Sequence, residues 1–250
     1  MEQSNAGGSR GIGRENGIRF MRAKDILLRH APDEICAAHN AVAIYISLSE
    51  HAERLNKSQF RDCLGSIQRH AFDSFILSLS KLFEPPNKRH PNLSIPTAVE
   101  NLQRQLGYLD ISAQKCAWLV EFVQSEIDSN FSVRSRNDLN EVPGLIIRYF
   151  GDRCPQTPPR KTHSLDVIFD ALRVLRDKRV AHHEDNDLQG LNTTDMDGVK
   201  RLLAFAETVV NVVGYGFFGS SRQTTVSPEK FSPDKSWLWP QMQKVVQILE

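Results

Sequence analysis

Cysteine is sparse and scattered. Cys36, Cys63, Cys116 and Cys154 are the only four in 250 residues, and no two stand at a close paired spacing. That pattern excludes a disulfide framework and a cysteine-built zinc site, and it fits reduced thiols in a cytoplasmic protein. An excess of charge of either sign is also lacking. The 31 Lys and Arg against 30 Asp and Glu leave a formal charge of +1, so any nucleic-acid site must be a local patch. Apolar runs are short. The most apolar stretch, Leu202 to Phe218, carries Glu207 and Asn211 in its middle, where a bilayer needs about 20 mostly apolar residues. It reads as a buried helix. Residues 1–17 are polar and Gly-rich instead of apolar, so no secretory signal is expected. The expectation is a cytoplasmic protein with no membrane partner.

Strand patterning is missing between residues 18 and 218. The glycines Gly7, Gly8, Gly11 and Gly13 imitate a dinucleotide phosphate loop, but that loop works only between a buried strand and a helix. Met1 to Ala6 cannot form such a strand, and no Tyr has a Lys four residues later. No cofactor is implied, and residues 1–17 read as a flexible leader. What is present is helix after helix. Residues 18–30 form an amphipathic candidate closed by Ala31-Pro32, and Asp33 to Asn56 form a long one. Ser58 to Glu84 follow, capped by Ser58 and stopped by Pro85-Pro86, with Phe60, Leu64, Ile67, Ala71, Phe75, Leu79 and Leu82 on one face. Pro96 suits the first turn of a helix running to about Leu109. Ser112 to Ser129 come next, with Trp118, Leu119, Phe122, Val123 and Ile127 inward. Residues 130–140 read as a polar loop, Leu145 to Phe150 as a short helix, and Gly151 to His163 as an irregular Pro-rich segment.

Leu165, Ile168, Phe169, Leu172 and Leu175 then mark one face of an amphipathic helix, capped by Ser164. The stripe changes character without changing phase: Arg176, Arg179 and His183 continue it. Thr193 or Thr194 begins a final long helix. Residues 219–235 read as linker, and Trp237 to Leu249 as a terminal helix with a docking face. The fold class expected is an all-α bundle of long antiparallel helices over 18–218, with a C-terminal helix appended through 219–250.

Arg176 is followed by five residues and His182, then by His183. Residues seven apart nearly eclipse on a straight helix, which places Arg176 with His183; a bent helix end favours His182. His exchanges protons near neutral pH, and Arg holds phosphate oxygens and braces added negative charge. Those tools suffice for cleaving RNA by attack of its 2′-hydroxyl on the adjacent phosphate, without metal. His39, His51 and His70 lie on different helices with no ligand spacing, and no metal is expected. Lys88, Arg89 and His90, with Arg134 and Arg136, are basic loop residues for which solvation is the simpler account. Trp118 and Phe122 read as core.

The run Leu175-Arg176-Asp177-Lys178-Arg179-Val180-Ala181-His182-His183, at the end of a late apolar helix, resembles the signature of the HEPN superfamily (higher eukaryotes and prokaryotes nucleotide-binding). Residues 71–84 resemble its bacterial abortive-infection branch. The resemblance implies an all-α bundle and an endoribonuclease of toxin–antitoxin or phage-defence type. It also implies a homodimer in which the motif helices meet at a composite site, sometimes with an antitoxin or nucleotidyltransferase partner. Carried over by position, Arg176 and His182 are catalytic and Asp177 orients the Arg, with Lys178 and Arg179 supporting. His183 remains an alternative to His182. Glu184 stands where the branch modified by antitoxins has Tyr, which argues against that mode of regulation. A plainer account competes. Cations at a helix C-terminus stabilise its free carbonyls and dipole, and an Arg–Asp pair can be a surface ion pair of little worth. On that account the chain is a catalytically inactive helical module that binds a protein or nucleic-acid partner.

Overall fold

The computed structural model describes residues 8–87, 89, 91–109, 113–154, 164–177 and 193–218. Among these residues the chain is helical and has no strand, which is the all-α bundle that the apolar periodicity predicts. Its helices are α1 (Gly8–Asp25), α2 (Ala31–Glu50), α3 (Ala52–Leu55), α4 (Arg61–Phe83), α5 (Ile95–Gln103), α6 (Ala113–Phe122), α7 (Arg136–Arg153), α8 (Ser164–Leu175) and α9 (Thr193–Val209).

The first departure from expectation is at the N-terminus. The leader expected over 1–17 is helical from Gly8 onward. Each glycine in a helix interior costs about 1 kcal/mol relative to Ala, but α1 is anchored further along by Ala23, which is fully buried. A Glu15–Arg19 ion pair one turn apart supports its middle. Gly8, Gly11 and Gly13 are therefore helical residues and form no phosphate loop. Nor does Ala31-Pro32 end the helix. The chain widens into a π segment, Ile26–His30, where Ala31 N–H donates to Ile26 O, and then continues as α2 with Pro32 in its first turn. Proline is tolerated there because the widening already breaks the bonding pattern that its missing N–H would interrupt.

α2 and α4 form the central antiparallel pair. Lys81 Nζ reaches Glu34 Oε1 at 2.9 Å, the rings of Tyr45 and Phe72 lie 5.3 Å apart, and Gln68 Nε2 donates to Ser49 Oγ at 2.7 Å. Those pairs run in opposite order along the two helices. The long helix expected to Asn56 is broken at His51, and Ser58 lies in the following turn. Phe60, not Ser58, occupies the N-cap of α4, with no side-chain capping bond. The apolar face of α4 is also only half used. Ala71, Phe75, Leu79 and Leu82 are buried, whereas Phe60 and Ile67 remain 47% and 43% exposed, because the first turns of α4 project beyond the elements that cover the rest.

The α4–α5 connector is tied down by side chains. Ser94 Oγ donates to Glu84 O at 2.6 Å, Asn92 Nδ2 donates to Pro85 O at 2.6 Å, and Ser94 caps α5 by accepting from Thr97 N–H. α5 ends at Gln103, and a tight turn over Leu106–Tyr108 replaces the rest of the helix expected to Leu109. α7 is longer than the apolar residues alone suggested. Ser135 and Asp138 form a reciprocal capping box, so the polar stretch after Arg136 makes the helix's first turns. The helix runs through Pro143 to Arg153, three residues into the segment read as irregular.

Aromatic rings link the helices through the core. Phe83 stacks on Phe205 at 6.0 Å, Phe205 meets Phe150 at 5.8 Å, and Phe150 stacks on Phe122 at 5.7 Å. Arg153 closes the row with its guanidinium 3.5 Å from the centre of the Tyr149 ring. α9 continues as a π segment, Val210–Phe218. Lys200–Phe218 is one helical stretch long and apolar enough to cross a membrane by length and composition. In the bundle its Leu202, Leu203, Ala206, Val209, Val210, Val212 and Val213 are buried. Gly214 allows the close crossing with the first π segment: a Cβ there would stand 3.1 Å from the Leu27 carbonyl oxygen. Trp237 to Leu249, the expected terminal helix, lies outside the described residues.

Candidate functional site

α8 carries the motif and sits where its sequence places it. Leu172 is fully buried, Leu165 and Phe169 nearly so, and Ile168 and Leu175 pack half-buried against the core. Ile168 fits because Gly198 of α9 faces it: a Cβ on that glycine would lie 3.0 Å from Ile168 Cγ1. Asp166 is buried in the first turn of α8, where the helix dipole favours a carboxylate. It faces Cys154, the residue that closes α7. Burial, followed by the Asp166 charge, pushes the Cys154 thiol far above its usual range, so this cysteine is an inert core group.

The helical winding continues past Leu175 through Arg176 and Asp177. Arg176 is where burial gives way to solvent: its side chain is 34% exposed and that of Asp177 52%. Arg176 donates from Nε at 2.9 Å and from Nη2 at 2.7 Å to the same Asp177 oxygen, Oδ1. The carboxylate thus holds the edge of the guanidinium and fixes its direction at the end of the helix. Lys178, Arg179, His182 and His183 lie outside the described residues. Of the residues assigned to the site, the fold places Arg176 and Asp177 together.

His39, His51 and His70 turn to separate partners. His39 of α2 pairs with Glu207 of α9 across the core, both side chains about nine-tenths buried. His51 Nδ1 lies 2.9 Å from Ser47 O and His70 Nδ1 lies 2.7 Å from Ser66 O, each one turn back on its own helix. Among the described residues, no three His, Cys, Asp or Glu side chains come together as a metal site. The His39–Glu207 pair had no local signature, since the two residues are far apart in sequence and only the bundle joins them. Trp118 and Phe122 pack against the core as their spacing suggested. Arg134 precedes the N-cap of α7, with its backbone N–H donating to Asp138 Oδ2 at 2.7 Å, and Arg136 is the first residue of that helix. Lys88 and His90 are outside the described residues, and Arg89 is exposed.

No family model, curated protein or solved structure matches the chain.

Proposed function

We propose that this chain is a metal-independent endoribonuclease of HEPN type, cytoplasmic and homodimeric, acting in bacterial defence or as a toxin. The observation that carries the reading is Arg176. It is a half-exposed guanidinium at the end of a buried amphipathic helix, oriented by its neighbour Asp177, with a histidine pair following in sequence. In the proposed step His182 or His183 removes the proton from a 2′-hydroxyl, and the 2′ oxygen forms a bond to phosphorus. The bond from phosphorus to the 5′ oxygen breaks, and a second acid protonates the leaving oxygen. Arg176 stabilises the charge that builds on the phosphoryl oxygens. The products are a 2′,3′-cyclic phosphate and a 5′-hydroxyl, and no redox partner or cofactor enters. Two copies of α8 meeting end to end supply both acid–base groups. An antitoxin or nucleotidyltransferase is the partner class that would restrain such an enzyme.

A second reading has its own observation. Arg176 already closes on a local carboxylate, as in a silent helical module that binds protein or nucleic acid. A mixing experiment separates the two. Arg176→Ala and His182→Ala (or His183→Ala), each inactive alone, restore RNA cleavage when unfolded and refolded together if the site is composite. A silent module yields no cleavage in any mixture while still binding its partner.

A further inference from the structure

Phe60, Leu64 and Ile67 stand on the core-facing side of α4, in line with Ala71, Phe75 and Leu82 further along, yet Phe60 is 47% and Ile67 43% exposed while Ala71 is buried. The covering stops between residues 67 and 71. The directions of the neighbouring helices show what ends there. His39 meets Glu207 and Leu27 meets Gly214, so α9 runs antiparallel to α2 and therefore parallel to α4, with Phe205 stacked on Phe83. α8 runs the other way. Its Ile168 packs on Gly198, and its Asp166 faces Cys154, one turn beyond the Phe150 that meets Phe205. Going back along α8 thus leads toward Phe205, and going forward leads toward the start of α9.

Gly198 is seven residues before Phe205, and Arg176 is eight residues after Ile168. At about 1.5 Å per residue, Arg176 is roughly level with Gln68 of α4, the point where burial on that helix ceases. Residues 60–67 therefore overhang the end of the bundle that carries Arg176, and Phe60 stands about 12 Å beyond it along α4. The overhang is basic as well as apolar. Lys57, Arg61 and Arg69 are exposed, against the single carboxylate of Asp62, a formal +2 over residues 57–70 in a chain that totals +1.

We propose that the start of α4 holds single-stranded RNA beside Arg176, with one base stacked on the Phe60 ring; the substrate class rests on the endoribonuclease reading. An exposed aromatic ring flanked by cations is the combination that binds single strands, because the ring stacks on any base and the cations follow the phosphates. At about 3.4 Å per stacked nucleotide, the offset along α4 places the base held by Phe60 roughly three or four nucleotides from the cleaved bond. Leu64 and Ile67 supply apolar surface between the two points. The charge and size of the face select RNA over a second copy. Two such faces in contact would set like charges together, and one stripe of three apolar side chains falls far short of the roughly 800 Å² that each partner buries in a stable protein complex.

Binding of a short single-stranded 2′-O-methyl RNA, which lacks the attacking hydroxyl, tests the proposal apart from cleavage. By fluorescence polarisation, Phe60→Ala should weaken binding roughly tenfold. Phe60→Trp should bind as wild type does, and so should Leu93→Ala, at the opposite end of α4. Equal binding by Phe60→Ala and wild type would overturn the proposal while leaving the cleavage reading to its own assay. Wild type that neither binds nor cleaves RNA would overturn both. A shift of Phe60→Ala from dimer to monomer in sedimentation would assign the face to a second copy and overturn the proposal as well. If Phe60→Ala fails to fold, photocrosslinking of wild type decides. 5-Bromouracil in the same strand should attach within residues 57–70, and attachment confined to other helices would defeat the proposal.

Discussion

His39 and Glu207 show how much one pair of side chains can carry. Neither has a neighbour in sequence that announces it, yet they meet inside the bundle and bind α2 to α9. Removing one member leaves the other buried without its partner, a loss of about 2–3 kcal/mol. His39→Ala should lower the urea midpoint accordingly, whereas His70→Ala, whose exposed ring bonds to its own helix, should change it little. An unchanged midpoint for His39→Ala would show that the pair is not what joins these helices. Thiol chemistry sorts the cysteines in the same way. Cys36 and Cys63 are exposed and Cys154 is buried, with its thiolate disfavoured by burial and by Asp166. In the folded protein at mildly alkaline pH, iodoacetamide should label Cys36 and Cys63 and leave Cys154 untouched. Labelling of Cys154 as fast as Cys36 would contradict that placement.

Helix boundaries were the least legible part of the sequence, and α7 and α4 show why. The polar start of α7 was indistinguishable from a loop by apolar periodicity, although Ser135 followed by Asp138 is a capping signal. Backbone N–H groups of Arg134 and Ser135 hold the Asp138 carboxyl below its usual range. A carboxylate with a depressed folded pKa stabilises the protein above its unfolded value, and that contribution is lost as pH falls through the folded one. Asp138→Ala should therefore destabilise the protein at neutral pH, and the difference should shrink when unfolding is repeated in the acid range below pH 4. Ser135→Ala should cost about 1 kcal/mol. In α4 the periodicity names one face, but periodicity cannot say where the covering helices stop, and Phe60 and Ile67 share that face while staying exposed. Glycines separate in a similar way. Nothing lies near a Cβ at Gly65, so Gly65→Ala should stabilise α4 by about 1 kcal/mol. At Gly214 the added carbon meets the Leu27 carbonyl, and Gly214→Ala should cost about 1–3 kcal/mol. Thermal unfolding that moved both variants in one direction would contradict this contrast.

For the whole molecule, the helical class was readable because it needs only local pattern: apolar spacing of three and four, and breakers between segments. The aromatic row from Phe83 to Tyr149 was not, because those rings come from α4, α6, α7 and α9 and only tertiary packing brings them together. The candidate site falls between these cases. Its helix, its buried stripe and the Arg176–Asp177 contact follow from short-range sequence, while a composite site depends on a second chain. RNA cleavage in EDTA by wild type, Arg176→Ala, His182→Ala and His183→Ala, each verified as folded, tests the proposed activity most directly. The account predicts 2′,3′-cyclic phosphate ends from wild type. It also predicts a loss of roughly 100-fold or more on removing Arg176 and on removing one of the two histidines. Folded wild type that leaves every RNA class intact, or cleavage unchanged by all three substitutions, would contradict it.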